Sequence, residues 1–232
     1  MASSTVARSR QAHTKLDSDD ALAIRAAELS AWARRNARMI MAMAAVALVV
    51  VGGLVVWKYS QAQRRAAAGE RLLALNANPA IMTAAGTREL EQFINQYGST
   101  PEADEARLML GQSLIEQGQG RRAIPHLQRV ADGGGRLAAQ AFMMLGSAHS
   151  QLGDRAASIR AYQQAAENAT MKFQRFEALG QAAVQHESGG NWRAAADIYR
   201  GLLAESEKGS QQSTIIEMRL TEALARAGTP AR

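Results

Sequence analysis

Residues 142–162 read FMMLGSAHSQLGDRAASIRAY. An apolar helical run carries Leu145-Gly146, a loop follows at Leu152-Gly153-Asp154, and a second run brings Ser158 and Tyr162 four residues apart. Apolar residues at helical spacing on both sides of Gly-Asp punctuation predict two helices joined by a tight turn. Gly146 inside the first helix costs helix stability. Its place there is explained if the paired helix approaches too closely to leave room for a side chain.

The pattern recurs on both sides. Leu-Gly pairs stand at Leu110-Gly111, Leu145-Gly146 and Leu179-Gly180, with intervals of 35 and 34 residues between the glycines. A bulky residue precedes the leucine by three places at Phe142 and Phe176, with Arg107 in the first unit. The second halves align as Ala123 with Leu127, Ser158 with Tyr162, and Ala195 with Tyr199. A period of ~34 residues with this pairing is the pattern of tetratricopeptide repeats. Turns are expected at Gln117 to Gly120, Leu152 to Asp154 and Ser188 to Asn191. The third is read as about three residues longer than the pattern, so that Trp192 opens its second helix. Arg64 to Leu75 and Thr87 to Tyr97 read as a degenerate first pair, and Ile215 to Ala227 as the first helix of a fourth unit. The expected fold is all-α: a single N-terminal transmembrane helix, then a repeat solenoid. Its divisions are residues 1–38, 39–57, 58–101 and 102–228.

The span is expected at Met39 to Trp57, nineteen consecutive residues without a charge. At ~1.5 Å per residue they make a helix of roughly 28 Å, close to the ~30 Å hydrocarbon thickness of a bilayer. A cleaved signal normally has a shorter apolar stretch and a shorter head, so an uncleaved anchor is the expectation. Arg34, Arg35 and Arg38 crowd its N-terminal side while only Lys58 lies within five residues beyond it, which places the head in the cytoplasm. Ser18-Asp19-Asp20 would cap a head helix reaching Arg35, with Trp32 at the membrane–water interface, and residues 1–16 read as disordered.

Charge and chemistry narrow the function classes. The net charge of +6 divides into +3 on the head and +3 on residues 58–232, with no basic run in the latter. That is not the clustered footprint of a nucleic-acid surface. The chain has no cysteine, hence no disulfide, thiolate metal site or lipid-modified cysteine. His13, His126, His149 and His186 share no metal-ligand spacing. His149 falls where the repeat pattern has a packing tyrosine, and His186-Glu187 lacks a second histidine. Gly133-Gly134-Gly135 has no following Gly-Lys-Ser/Thr and reads as an inter-repeat loop, while Glu205 and Glu207 read as exposed charges near a helix end. No catalytic, cofactor or metal residues are expected, and no small-molecule substrate.

A helical solenoid offers the face lined by the first helices of its repeats. The candidate protein-binding groove is Gln112, Gln140, Met143, Ser147, Gln174, Glu177 and Gln181, with Glu105, Leu108, Ile115, Ser150 and Val184 also on that face. Amides and hydroxyls can bond a peptide backbone, and Met143 gives an adaptable apolar contact. No cluster of Lys, Arg and Asn is expected there to clamp a terminal carboxylate.

With its basic head, single span and repeat domain, the chain resembles the ancillary SecYEG translocon subunit family. The resemblance implies a bacterial inner-membrane protein whose repeat domain lies in the periplasm. Its implied role is a non-enzymatic adaptor of the secretion channel that meets chaperones or translocating clients. The motifs carrying the likeness are those of the repeat superfamily. A cell-division or envelope-assembly coordinator with the same repeat type, and an import receptor of opposite topology, stand as alternatives.

Overall fold

The computed structural model describes residues 24–25 and 27–228. The chain divides into two compact units, Met1–Ala62 and Gln63–Arg232. The expectations for residues 1–16 and for the Ser18 to Asp20 cap lie outside the described residues.

In the first unit, residues 27–35 are helical and a turn at Asn36 separates them from helix α1, Ala37–Asn76. The Asn36 side-chain amide donates to the Trp32 carbonyl at 3.0 Å, which also takes the Asn36 backbone N–H at 3.0 Å. No residue from Met39 to Trp57 is buried. Leu48 and Val49 are 73% and 75% exposed. The segment is long and apolar enough to cross a membrane. Its helix runs well past the apolar stretch because Lys58 to Asn76 is built from strong helix formers, until Pro79 ends the run.

In the second unit, Ala68, Leu72 and Leu75 lie four and three residues apart on one face of α1. They are buried in one core with Leu90, Phe93 and Ile94 of α2, Ala84–Tyr97. The remaining helices are α3 (Pro101–Glu116), α4 (Gly120–Asp132), α5 (Ala138–Gln151), α6 (Arg155–Glu167), α7 (Lys172–Ser188), α8 (Trp192–Glu205) and α9 (Gln211–Ala227). Among the described residues there is no strand. The helix starts are chemically marked. Thr83, Asp154 and Ser210 accept backbone N–H bonds as caps, and Pro101 opens α3 with Glu102 and Asp104 in its first turn. From α2 onward consecutive helices pack on one another, and α5 also touches both α3 and α7, as in a stack of helical pairs.

The third pair departs from the sequence reading. Its turn, Gly189 to Asn191, is as short as Gln117 to Gln119 and Leu152 to Asp154. The three additional residues lie in helix α7. The turn glycines Gly118, Gly153 and Gly190 have φ of 74°, 76° and 73°, and they stand 35 and 37 residues apart. Counted from these turns, Ala183 and not Gly180 is the equivalent of Gly111 and Gly146. A Cβ on Gly111 would collide with the Leu127 side chain, and one on Gly146 would stand 2.5 Å from the Tyr162 ring. A Cβ on Gly180 would meet nothing within 4 Å. The close approach in the third pair is instead made at fully buried Ala183, which shares a core with Ala195 and Tyr199.

Neighbouring pairs are tied by a recurring glutamine. The Gln117 amide donates to the Met82 carbonyl at 3.2 Å, Gln151 to the Ile115 carbonyl at 2.9 Å, and Gln185 to the Ser150 hydroxyl at 2.9 Å. Each bond reaches back about one repeat. Gln151 also accepts from the Gly120 N–H at 3.0 Å, so one side chain satisfies an otherwise orphaned helix-start donor in the preceding pair.

Candidate protein-binding groove

The groove is built from α3, α5 and α7, whose apolar residues on one side enter the core and leave a polar-to-mixed face outward. Four of the expected residues, Gln140, Met143, Gln174 and Glu177, line one cavity of about 280 Å³ together with Ala139, Met144, Ala165 and Phe173. Gln112 and Gln140 line a neighbouring cavity of about 290 Å³ with Glu105, Leu108, Met109, Arg136, Leu137, Met144 and Asn76. Gln140 and Met144 are common to both, so the two cavities adjoin along α5. Half-buried Ser147 and exposed Gln181 line neither. Ile115 packs against the main core, Ser150 is occupied by Gln185, and Val184 lines a third cavity between α7 and α9.

Several expected groups are already engaged. The Gln112 amide donates to Glu116 at 2.9 Å, one turn along its own helix. The Gln174 carbonyl oxygen accepts from the Met171 N–H at 3.3 Å, serving the start of α7. Gln140 and Met143 are therefore the better placed to meet a ligand. The groove also contains two residues of the kind the sequence reading excluded, Arg136 and Asn76. Arg136 pairs with Glu105 at 2.5 Å across one repeat, so its charge is compensated, and no carboxylate clamp is assembled.

Outside the groove, the titrating groups with displaced pKa values belong to repeat packing. Burial lowers His126 and His186 below the ordinary histidine value. Burial raises the Tyr162 phenol, whose ring lies against Gly146 while Ser158 donates to the Gly146 carbonyl at 2.7 Å. Tyr199 is raised more strongly, first by burial and then by the Glu187 carboxylate beside it. His149 is half-buried, 3.8 Å from Asp154. Glu205 holds Arg175 and its backbone carbonyl takes the Lys172 ammonium, so it fastens α8 to the start of α7. Gly134 and Gly135 have positive φ and form the loop entering α5. Among the described residues no three His, Cys, Asp or Glu side chains are grouped to hold a metal ion.

A family model described as a tetratricopeptide repeat-like domain matches residues 30–145, half of the chain. The chain belongs to this tetratricopeptide repeat-like family. No characterised protein matches it. The matched span runs through α1 to Leu145, so the later repeats rest on their helix pairing and turn geometry. Membership makes the repeat domain a protein-interaction scaffold. Helical spacing alone places Gln140, Gln174 and Glu177 on the face that carries the first cavity. The sequence reading did not name two further residues of that cavity, Phe173, 62% exposed at the start of α7, and Met144. It also passed over the glutamines that tie the repeats, although their interval of 34 residues is visible in the sequence.

Proposed function

We propose that this protein is a non-catalytic, single-pass membrane scaffold that presents its repeat domain to other polypeptides outside the cytoplasm. The observation carrying the proposal is the segment from Met39 to Trp57, helical and apolar on every side, with none of its residues buried. A helix apolar all round needs apolar surroundings, and lipid supplies them. The arginines at 34, 35 and 38 support retention of the preceding segment in the cytoplasm. The proposed divisions are a head at 1–38, the span at 39–57, a lead-in at 58–101 and the interacting repeats at 102–228.

The finer reading takes its partners from the resemblance in layout: the bacterial secretion channel, with periplasmic chaperones or translocating clients on the groove side. Alkaline phosphatase fused after Arg232 tests the topology. An active fusion is expected, and an inactive but stable one overturns the periplasmic placement. A photocrosslinker at Met143, compared with one at Arg160, tests the groove. Equal crosslinking of partner polypeptide from both positions removes it as the contact face.

A further inference from the structure

We infer that the start of the span holds one anionic phospholipid molecule, its phosphate on Arg34, Arg35 and Arg38 and one acyl chain along the groove that begins at Met39. The inference rests on the membrane reading and adds a ligand that a plain anchor does not require.

The three arginines share one side of a helix. Hydrogen bonding continues across the turn at Asn36, whose N–H reaches the Trp32 carbonyl and whose carbonyl takes the Ile40 N–H at 2.9 Å. Helical spacing therefore holds from residue 34 into α1. Arg35, Arg38, Ala42 and Val46 fall three, four and four residues apart on one stripe, and Arg34 lies four residues before Arg38. All three arginines are exposed, and none forms an ion pair among the described residues. Glu28 is the only acid among the described residues before the span. Arg34 is steadied by its own helix, donating through Nε to the Ser30 carbonyl at 3.3 Å and through Nη2 to the Ser30 hydroxyl at 3.1 Å. Its Nη1 donors are left for a ligand.

A groove continues the same stripe. It is an open apolar recess of about 510 Å³ on α1, reaching from Met39 to Val51 with Ala42 and Val46 in its lining. Ala42 and Ala47 are the short side chains of a lining otherwise made of methionine and valine. Methionine adapts its shape to what lies against it. Cations without partners at the mouth of an apolar groove complement a molecule that is anionic at one end and a hydrocarbon chain at the other.

The dimensions match one leaflet of a bilayer. Arg34 to Arg38 advances ~6 Å along a helix, and the headgroup layer on each side of the ~30 Å hydrocarbon core is ~5–7 Å thick. Met39 to Val51 advances roughly 18 Å, against the ~15 Å that half of the core offers to one acyl chain. Guanidinium groups take phosphate through paired, charge-assisted hydrogen bonds. Retention of the head by charge alone would need neither a common face nor an adjoining groove. Another apolar helix would fill the groove but leave three guanidinium groups unanswered, whereas an anionic lipid satisfies both. The arrangement belongs to one end of the span, since Lys58 is the only cation from residue 58 to residue 62.

The test uses the full chain in detergent micelles, where topology plays no part, and counts the lipid molecules it keeps in native mass spectrometry. The probes are phosphatidylglycerol and phosphatidylcholine with the same acyl chains, and glycerol 3-phosphate as a phosphate without chains. One phosphatidylglycerol per chain is expected, held about tenfold more tightly than phosphatidylcholine, whose phosphate is already compensated by its own ammonium. Arg35→Gln with Arg38→Gln should remove that preference. Ala42→Trp should fill the groove and weaken phosphatidylglycerol retention about tenfold, with an unchanged circular-dichroism melt showing that the fold is intact. Glycerol 3-phosphate at the lipid's own concentration should leave the lipid bound; displacement would show a site for free phosphate and overturn the inference. Equal retention of the two lipids, a preference that survives the double arginine change, or full retention in Ala42→Trp also overturns it. So does a dimer that Ala42→Trp breaks, by identifying a second copy as the occupant. If the chain stays with washed membranes yet shows no lipid preference, only this inference falls; a chain recovered without detergent in the soluble fraction removes the membrane reading as well.

Discussion

The second and third helical pairs carry the same two letters, Leu-Gly, and use them oppositely. Gly146 is pressed by the Tyr162 ring, whereas Gly180 opens onto unfilled space. Three residues added to α7 explain the difference. They turn a helix by about 300°, so a residue keeping its sequence interval from the preceding repeat ends up rotated by about 60° and one turn displaced. Leu179 then falls at the bulky position that Phe142 holds in the second pair, and Ala183 comes to the crossing. Turn glycines are the better register marks, because their positive φ is imposed by local geometry and cannot slide along a helix.

The comparison is most severely tested by leucine scanning of the two positions. Gly146→Leu and Ala183→Leu should each destabilise the full chain by about 1–3 kcal/mol, occasionally more, because both overpack a helix crossing. Gly180→Leu, a better helix former facing open space, should melt no lower than the wild type. If Gly180→Leu is the damaging change and Ala183→Leu is tolerated, the register counted from the turn glycines is wrong.

A smaller effect is expected at the turns. Gly153→Ala and Gly190→Ala should both cost about 1–2 kcal/mol, since each forces a side chain into the left-handed region. Matching losses in denaturant melts would show that the two turns are alike even though the helices before them differ. A loss at Gly153 alone would end the equivalence.

Smaller still is the alanine contrast. Gly180→Ala should stabilise by roughly 0.5–1 kcal/mol, since an open helical glycine gains from a methyl group. Gly146→Ala should instead destabilise, as the Tyr162 ring must move. Opposite signs in the same calorimetric series are the expected result.

The pH response should be the mildest. His186 titrates below its ordinary 6.5 in the folded chain because of burial, so folding favours its neutral form. The unfolded chain takes up this proton first as pH falls, and the associated stability, complete above about pH 6.5, is lost on acidification. His186→Gln should flatten the dependence of melting temperature on pH between about 7 and 5. An unaltered slope would assign the acid sensitivity to other groups, His126 foremost.

Much of this architecture was written locally. Asp154 and Ser210 mark helix starts by chemistry that acts within three residues, and Gly118, Gly153 and Gly190 mark turns in the same way. The apolar run from Met39 was equally plain. What could not be read was the lengthening of α7, because three residues of helix former look the same in a helix as beside a loop, and Leu179-Gly180 imitated the repeat. The shared cavity lining of Gln140, Met143 and Glu177 was legible because it depends on helical spacing. The groove was hidden where neighbouring elements contribute, as with Arg136 and Asn76, since adjacency across a turn has no sequence period.

The reaching glutamines set how the repeat domain bears load. Gln117, Gln151 and Gln185 each fasten one pair to the pair before it, and none spans two interfaces. A pull between the two ends is therefore carried in series, with every interface under the same force and none sheltered by a longer tie. Such a bond contributes only about 0.5–1.5 kcal/mol, and α9 lies at the end of the stack, so the elements should peel singly from the α9 end toward α2, shortening the stack by steps.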